Sequence, residues 1–338
     1  MLALWHWHIE ISSKCTLRCP RCARQEVPND LINTELDLAF FHKNFPPAFI
    51  EQHVRKVTFC GDDGDPIYAH DLVPVIRYFK SCADVEVVIV TNGSYRPPSW
   101  WKELGYALDH GDTVHFSIDG YDNASNNQYR VNSDWDSIME GIDSLRANSA
   151  ARLVWATIVF DFNQDHLHRI ERHARSRGCD FLQLTRSTKF AKVYPIYGPE
   201  DKLQPRAEWI APGHRFDREV IPLDRKIWPK AHSDNLKSWD AAQAVYKDNP
   251  ILPLCAIGNK GLFINSQGHF FPCCWVANRY EHNTEWIERG RQFDLTQITL
   301  FEALKHSFWN TEFQTFRWQE CQNKCNQGVV NDKYATEW

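Results

Sequence analysis

Over about its first 190 residues the chain alternates strand-like and helix-like hydrophobic patterns, and this alternation limits the possible folds more than any other feature. HIEIS (8–12), KVTFCG (56–61), VEVVIVTNG (85–93), TVHFSID (113–119), RLVWATIVF (152–160) and DFLQL (180–184) are rich in β-branched and aromatic residues and end in polar or turn residues, so they read as strands. Helical stretches separate them. In the clearest, 134–147, Trp135, Ile138, Met139, Ile142 and Leu145 recur at helical spacing, and Ser133 is the expected N-cap. Strands joined by helical crossovers require a parallel sheet, and right-handed crossovers curl it into a full or partial barrel. Functional residues in such folds gather at the C-terminal ends of the strands.

Composition narrows the class further. A chain of 338 residues, 43% hydrophobic, can bury a core without disulfide staples. Its 11 cysteines are too thinly spread for a small secreted scaffold, and their odd number would leave one thiol over in a fully paired framework. The start, MLALWHWHIEIS, lacks the basic n-region of a secretory signal, and no apolar run approaches membrane-spanning length. A formal net charge of −5 argues against a uniformly basic nucleic-acid binder. These features point to a reducing compartment, the cytoplasm (or a host cytoplasm for a virus-encoded chain), with no membrane partner and cysteines that act as ligands rather than bridges.

Three of those cysteines are close together. Cys15, Cys19 and Cys22 form CX3CX2C directly after the first strand. Short spacers keep three thiolates on one side of a loop, where they can hold three irons of a cubane and leave the fourth open. A zinc site completed by a distant His, or buried free thiols, would use the same residues. With this loop the chain resembles the radical S-adenosylmethionine (SAM) superfamily. The resemblance implies a partial (βα)6 barrel of the TIM-like α/β class, with SAM chelated at the open iron of a 4Fe–4S cluster. It also implies a one-electron reductant of flavodoxin or ferredoxin type and a 5′-deoxyadenosyl radical that abstracts a substrate hydrogen. Where many members carry an aromatic residue before the third cysteine, this chain has Arg21, whose guanidinium plane can stack similarly.

Other strand ends extend the resemblance. Gly61-Asp62-Asp63-Gly64-Asp65-Pro66 could be an ordinary turn, but it resembles the family's Gly-Gly-Glu-Pro segment, which positions the SAM amino group; Asp65 stands for the usual Glu. Asn92 follows the third strand in Thr91-Asn92-Gly93. In the fourth strand Val114, Phe116 and Ile118 alternate with His115, Ser117 and Asp119, which places a polar face toward the barrel interior. Ser117 and Asp119 match family positions near the SAM ribose, Arg130 one near its carboxylate, and Asn163 one near the adenine or ribose. His115, Asp119 and Tyr194 are candidate acid–base groups by position alone.

A second group, Cys255, Cys273, Cys321 and Cys325, reads CX12GX4C followed by CX3C, with Ser266-Gln267-Gly268 as the turn of a hairpin. Four thiolates in two separated pairs suit zinc or an iron–sulfur cluster. The resemblance here is to the shortened twitch form of the SPASM extension, which implies one auxiliary 4Fe–4S cluster. Cys60, Cys82, Cys179 and Cys274 remain as spares; Cys82 and Cys179 are expected to be buried.

The expected organisation is a radical SAM partial barrel at 1–187, a basic Pro-rich connecting segment at 188–250 and a twitch-type domain at 251–338. Ten Lys and Arg against six Asp and Glu give 184–232 a net of +4. Twitch relatives often modify peptides or amino-acid side chains, which makes a peptide or amino-acid-type substrate the first expectation. No N-terminal peptide-binding domain fits ahead of a first strand near residue 8. Virus-encoded members, some of which modify DNA bases, share the chain's compactness. The basic segment, with Tyr194, Tyr197, Trp209 and Trp228, could contact phosphates and bases, or simply pack on the barrel. A zinc-stabilised binding module without SAM chemistry is the reading from a different class.

Overall fold

The computed structural model describes residues 4–26, 31–186, 203–210, 217–223, 255, 261–277, 284–315 and 321. In chain order the elements that position the site are β1 (His6–Ile9), α1 (Ala23–Glu26), α2 (Leu38–Asn44), α3 (Pro47–His53), β2 (Lys56–Phe59), α4 (Leu72–Cys82), β3 (Glu86–Thr91), α5 (Pro98–Gly105), β4 (Thr113–Ser117), α6 (Asn123–Asn126), α7 (Trp135–Asn148), β5 (Arg152–Ile158), α8 (Leu167–Ser176), β6 (Phe181–Arg186), β7 (Asp217–Pro222), β8 (Leu262–Ile264) and β9 (Phe270–Phe271). The six barrel-type strands are where their apolar patterns place them, with β1 starting two residues early. The fold is the mixed α/β class with parallel strands that the pattern implies.

The chain forms two compact units, neither of them one continuous stretch: Met1–Lys14 with Ile32–Val87 and Pro229–Trp338, and Cys15–Leu31 with Val88–Trp228. In the first unit β1 pairs in parallel with β2 on one edge and with β8 on the other, and β8 turns back antiparallel into β9. Every residue of β1 and β2 is buried, as a strand enclosed on both faces requires. Phe41, Phe45 and Phe79 pack edge-on or stacked between α2 and α4 and are fully buried. Burying each such ring contributes roughly 2–3 kcal/mol.

In the second unit β4, β5 and β6 pair in parallel in sequence order, and β3 pairs with β4. The apolar side of β4 packs on helices: Phe116 meets Trp101 of α5 at 5.3 Å between ring centroids, and both are fully buried. β7 adds to β6 in antiparallel register, within the segment where the sequence shows no clear strand–helix unit. Its sequence, DREVIP, carries charges and ends in Pro222, a pattern of strands that need not be enclosed on both faces.

The cap of α7 differs from expectation. Asp134, not Ser133, is the N-cap, its carboxylate accepting from the Ser137 amide; the Ser133 hydroxyl instead accepts from Asn126 Nδ2 at 2.9 Å. Cys179 is buried as expected, whereas Cys82, at the end of α4, is only half-buried. No helix among the described residues is long and apolar enough to cross a membrane.

Candidate active site

The CX3CX2C loop leaves the first unit after Lys14 and belongs wholly to the second. Cys19 is buried with Leu17, Tyr129 and Phe160, and the half-buried Cys15 and Cys22 pack against the same apolar cluster. Asn92, at the end of β3, donates from Nδ2 to Cys15 Sγ at 3.7 Å, and its Oδ1 accepts from the Ser94 amide at 2.9 Å, which fixes the amide's orientation. The loop is also held from outside: Val131 O accepts from the Arg18 amide and Asn132 Nδ2 donates to Thr16 O at 2.8 Å. Among the described residues Asn132 and Tyr95 are the non-glycine residues with positive φ, 71° and 68°, and the Tyr95 hydroxyl donates to Asn132 O. Backbone held in the left-handed region is costly and persists where its surroundings enforce it. Here it fastens the cysteine loop. Arg21, just before the third cysteine, is buried.

Asp119 and Arg130 form a pair beside this cluster. Arg130 Nε donates to Asp119 Oδ2 at 2.6 Å, the Ile158 amide donates to Oδ1 at 2.7 Å, and Asp119 is fully buried. Both carboxylate oxygens are thus occupied, which suits Asp119 to orienting Arg130 better than to accepting a substrate proton. Burial lowers the Arg130 pKa, but the Asp119 charge more than offsets it, so the pKa is raised and the guanidinium is a fixed cation. Burial likewise pushes the Tyr129 phenol well above its ordinary value, with the Cys19 thiolate adding to the effect. Asn163 is fully buried: it donates to Asp119 O at 2.7 Å and Ile158 O at 2.9 Å and accepts from the Phe160 amide at 2.8 Å. Its amide joins the ends of β4 and β5. His115 is buried on β4 and Ser117 half-buried at its end.

The turn after β2 belongs to the first unit. A Cβ at Gly64 would stand 2.0 Å from Ser12 O, and one at Gly61 would stand 2.7 Å from Glu10 Oε1, so only glycine fits either position. Asp65 caps the short 3-10 turn Pro66–Tyr68, its Oδ1 accepting from the Ile67 amide at 3.2 Å. A carboxylate one methylene shorter than Glu reaches its own backbone two residues on, which accounts for Asp at this position.

Of the C-terminal cysteines, Cys255, Cys274 and Cys321 are buried and Cys273 is half-buried. The expected hairpin is present, with Ser266-Gln267-Gly268 between β8 and β9. Cys325, Tyr194, Tyr197 and Trp228 lie outside the described residues. Trp209 is described, and the Arg186 guanidinium sits 5.3 Å over its ring, so this ring has a stacking partner within the chain.

Three site residues were not singled out by their sequence. Glu10, read only as part of a strand, accepts three backbone amides at the heart of the first unit. Gln183 and Thr185 are buried on β6 with no side-chain partner among the described residues. Register places Gln183 across from Ala156, which in turn faces Ser117. A hydroxyl and an amide therefore flank a small residue on one sheet face. A polar side chain inside an apolar strand pattern was the available signal.

These residues fit an iron–sulfur cluster. Three thiols share one apolar environment, with an amide donor on one sulfur and a fixed cation nearby. Among the described residues no three His, Cys, Asp or Glu are grouped to hold a single ion. Cubane thiolates each bind a different iron and need not converge on one point.

No protein-family model matches the chain. It is similar to molybdenum cofactor biosynthesis protein 1 of Drosophila melanogaster, 26% identical over 88% of this chain and 48% of that protein. It is also similar to GTP 3′,8-cyclase of Agrobacterium fabrum, 25% identical over 53% of this chain and 50% of that one. The chain thus spans about half the length of the curated relatives it matches. Among solved structures, SuiB of Streptococcus suis bound to precursor peptide SuiA shares the fold with a TM-score of 0.55 and 11% identity, over 96% of this chain and 70% of that one. Native anSMEcpe with bound AdoMet and a peptide gives 0.52 and 14%, over 95% and 88%. The relatives in sequence and the relatives in fold both agree with the resemblance to the radical SAM superfamily.

Proposed function

We propose that the chain is a radical SAM enzyme acting on a peptide or amino-acid-type substrate. The observation that carries this is the gathering of Cys15, Cys19 and Cys22 around one apolar cluster, with Asn92 donating to the Cys15 sulfur. Bound there, a 4Fe–4S cluster with SAM at its open iron would supply a 5′-deoxyadenosyl radical for hydrogen abstraction once a flavodoxin- or ferredoxin-type reductant delivers one electron. The chain's own residues hold and orient. Asn92 fixes one sulfur, the Gly61–Asp65 turn offers backbone to an amino group, and Arg130, aligned by Asp119, offers a cation to a carboxylate. Ser117, Gln183 and Thr185 offer polar groups on the sheet face. Cys255, Cys273, Cys321 and Cys325 are assigned one auxiliary cluster; the three of them that are described are buried or half-buried, as thiolate ligands shielded from water should be.

The peptide reading is supported by the peptide-bound relatives in fold, SuiB and anSMEcpe. A second reading, a nucleotide-type substrate with DNA bases included, is supported by the GTP 3′,8-cyclases among the sequence relatives. Anaerobic reconstitution should give about eight irons per chain, the content of two clusters, and dithionite should elicit SAM-dependent 5′-deoxyadenosine. Which of a peptide pool, GTP or DNA raises that yield decides between the readings. Colourless, zinc-containing protein that leaves SAM intact would reject both.

A further inference from the structure

Glu10 stands at the end of β1, only 3% exposed. One oxygen, Oε1, accepts from the amides of Asp63 at 2.7 Å and Gly64 at 3.2 Å; the other, Oε2, accepts from the amide of Ser266 at 3.3 Å. The first two amides belong to the glycine turn after β2, and the third to the turn of the C-terminal hairpin. One buried carboxylate therefore joins two turns that lie some two hundred residues apart in sequence.

We propose that Glu10 is a positioning residue: it sets the Gly61–Asp65 turn in the form that receives the SAM amino group and makes that form depend on the seating of the hairpin. This rests on the assignment of that turn to SAM. Amide N–H groups held by Glu10 leave the turn to meet a ligand with acceptors, which is what an amino group needs. Buried carboxylates solvated by amide dipoles hold geometry tightly, since each N–H left without its acceptor carries its full desolvation cost. The hairpin side has a second tie, Thr34 Oγ1 donating to Ser266 Oγ at 3.2 Å, so Ser266 is fixed independently enough to act as an anchor.

The test uses the full chain, reconstituted anaerobically, with SAM as the probe. Wild type, Glu10→Gln, Glu10→Ala and Asp134→Ala are compared for iron content, SAM dissociation constant and the SAM-induced change in the electron paramagnetic resonance spectrum of the reduced protein. Asp134→Ala removes the α7 cap, a loss of stability far in sequence from either turn. Glu10→Ala should weaken SAM binding by about tenfold, on the scale of buried amides losing an acceptor, with iron content unchanged. Glu10→Gln keeps one acceptor oxygen and should fall between, and Asp134→Ala should bind as wild type does. SAM should also slow hydrogen exchange at the Ser266 amide in wild type but not in Glu10→Gln. If Glu10→Ala does not fold, Glu10→Gln decides. Variants with full iron that bind SAM within twofold of wild type would overturn the proposal. A wild type with no SAM-induced spectral change would instead overturn the proposed binding of SAM on which this inference rests.

Discussion

Glu10 and Asp119 are both buried carboxylates at strand ends, yet they are held by different means. Glu10 is held by neutral amides from residues 53, 54 and 256 positions away. Asp119 is held by the Arg130 guanidinium 11 positions away and by one amide. Amide dipoles fix geometry without adding a charge of their own; a guanidinium neutralises charge but becomes a liability once its partner is removed. The first arrangement suits a site that must accept a cationic group, and the second suits one that must present a cation in a fixed place.

The sharpest test of this contrast is truncation at Asp119. Asp119→Ala should lower the unfolding free energy by about 3–5 kcal/mol, because Arg130 is then left as an uncompensated charge. Replacing both partners by apolar residues, as in Asp119→Leu with Arg130→Met, should recover much of that loss in urea denaturation while leaving SAM bound weakly. If the double variant is no more stable than the single one, the pair is not the reason for the cost.

A smaller effect is expected at Asn132, which steadies the cysteine loop from a left-handed backbone. Asn132→Gly removes the bond to Thr16 O, worth about 1 kcal/mol, but also relieves backbone strain of about the same size. Stability should stay nearly constant, and iron should be lost faster to a chelator. Unchanged iron release would show that the Asn132–Thr16 bond does not hold the loop.

The smallest effect concerns an acid that avoids charge altogether. Burial pushes the Cys179 thiol up to about 12, with the Asp180 carboxylate adding to it. Between the ordinary thiol value and about 12 the folded state holds a proton that the unfolded state has lost, so this group's contribution to stability falls as pH rises through that window. Near pH 9 Cys82 should alkylate readily and Cys179 only on unfolding, as mass spectrometry of the labelled peptides would show.

These residues also mark what the sequence makes legible. Asp119 could be found because 113–119 alternates apolar and polar residues, so its polar members face inward and have to be accounted for; Arg130 could be found only through the family resemblance. Glu10 could not, because HIEIS is ordinary alternation and its partners arrive from distant turns. The glycines of the turn after β2 were visible as glycines, but the carboxylate beneath them was not. β7 was missed since its charges and proline match a solvated linker as well as a strand at a sheet edge. Asn163 and Asn132 look alike in sequence, and only the backbone bonds show that one joins strand ends and the other holds the loop.

The register of β1 also bears on how the chain is made. Trp7 pairs with Leu262, and the Glu10 amide donates to Ile264 O, so the first strand completes its pairing only with residues from the last third of the chain. At ~5–20 residues per second, ribosomal synthesis leaves β1 with one open edge for on the order of ten to fifty seconds. The three cysteines that follow it emerge early and wait through that interval beside an unfinished strand. The unfinished strand is meanwhile a template for pairing with another chain.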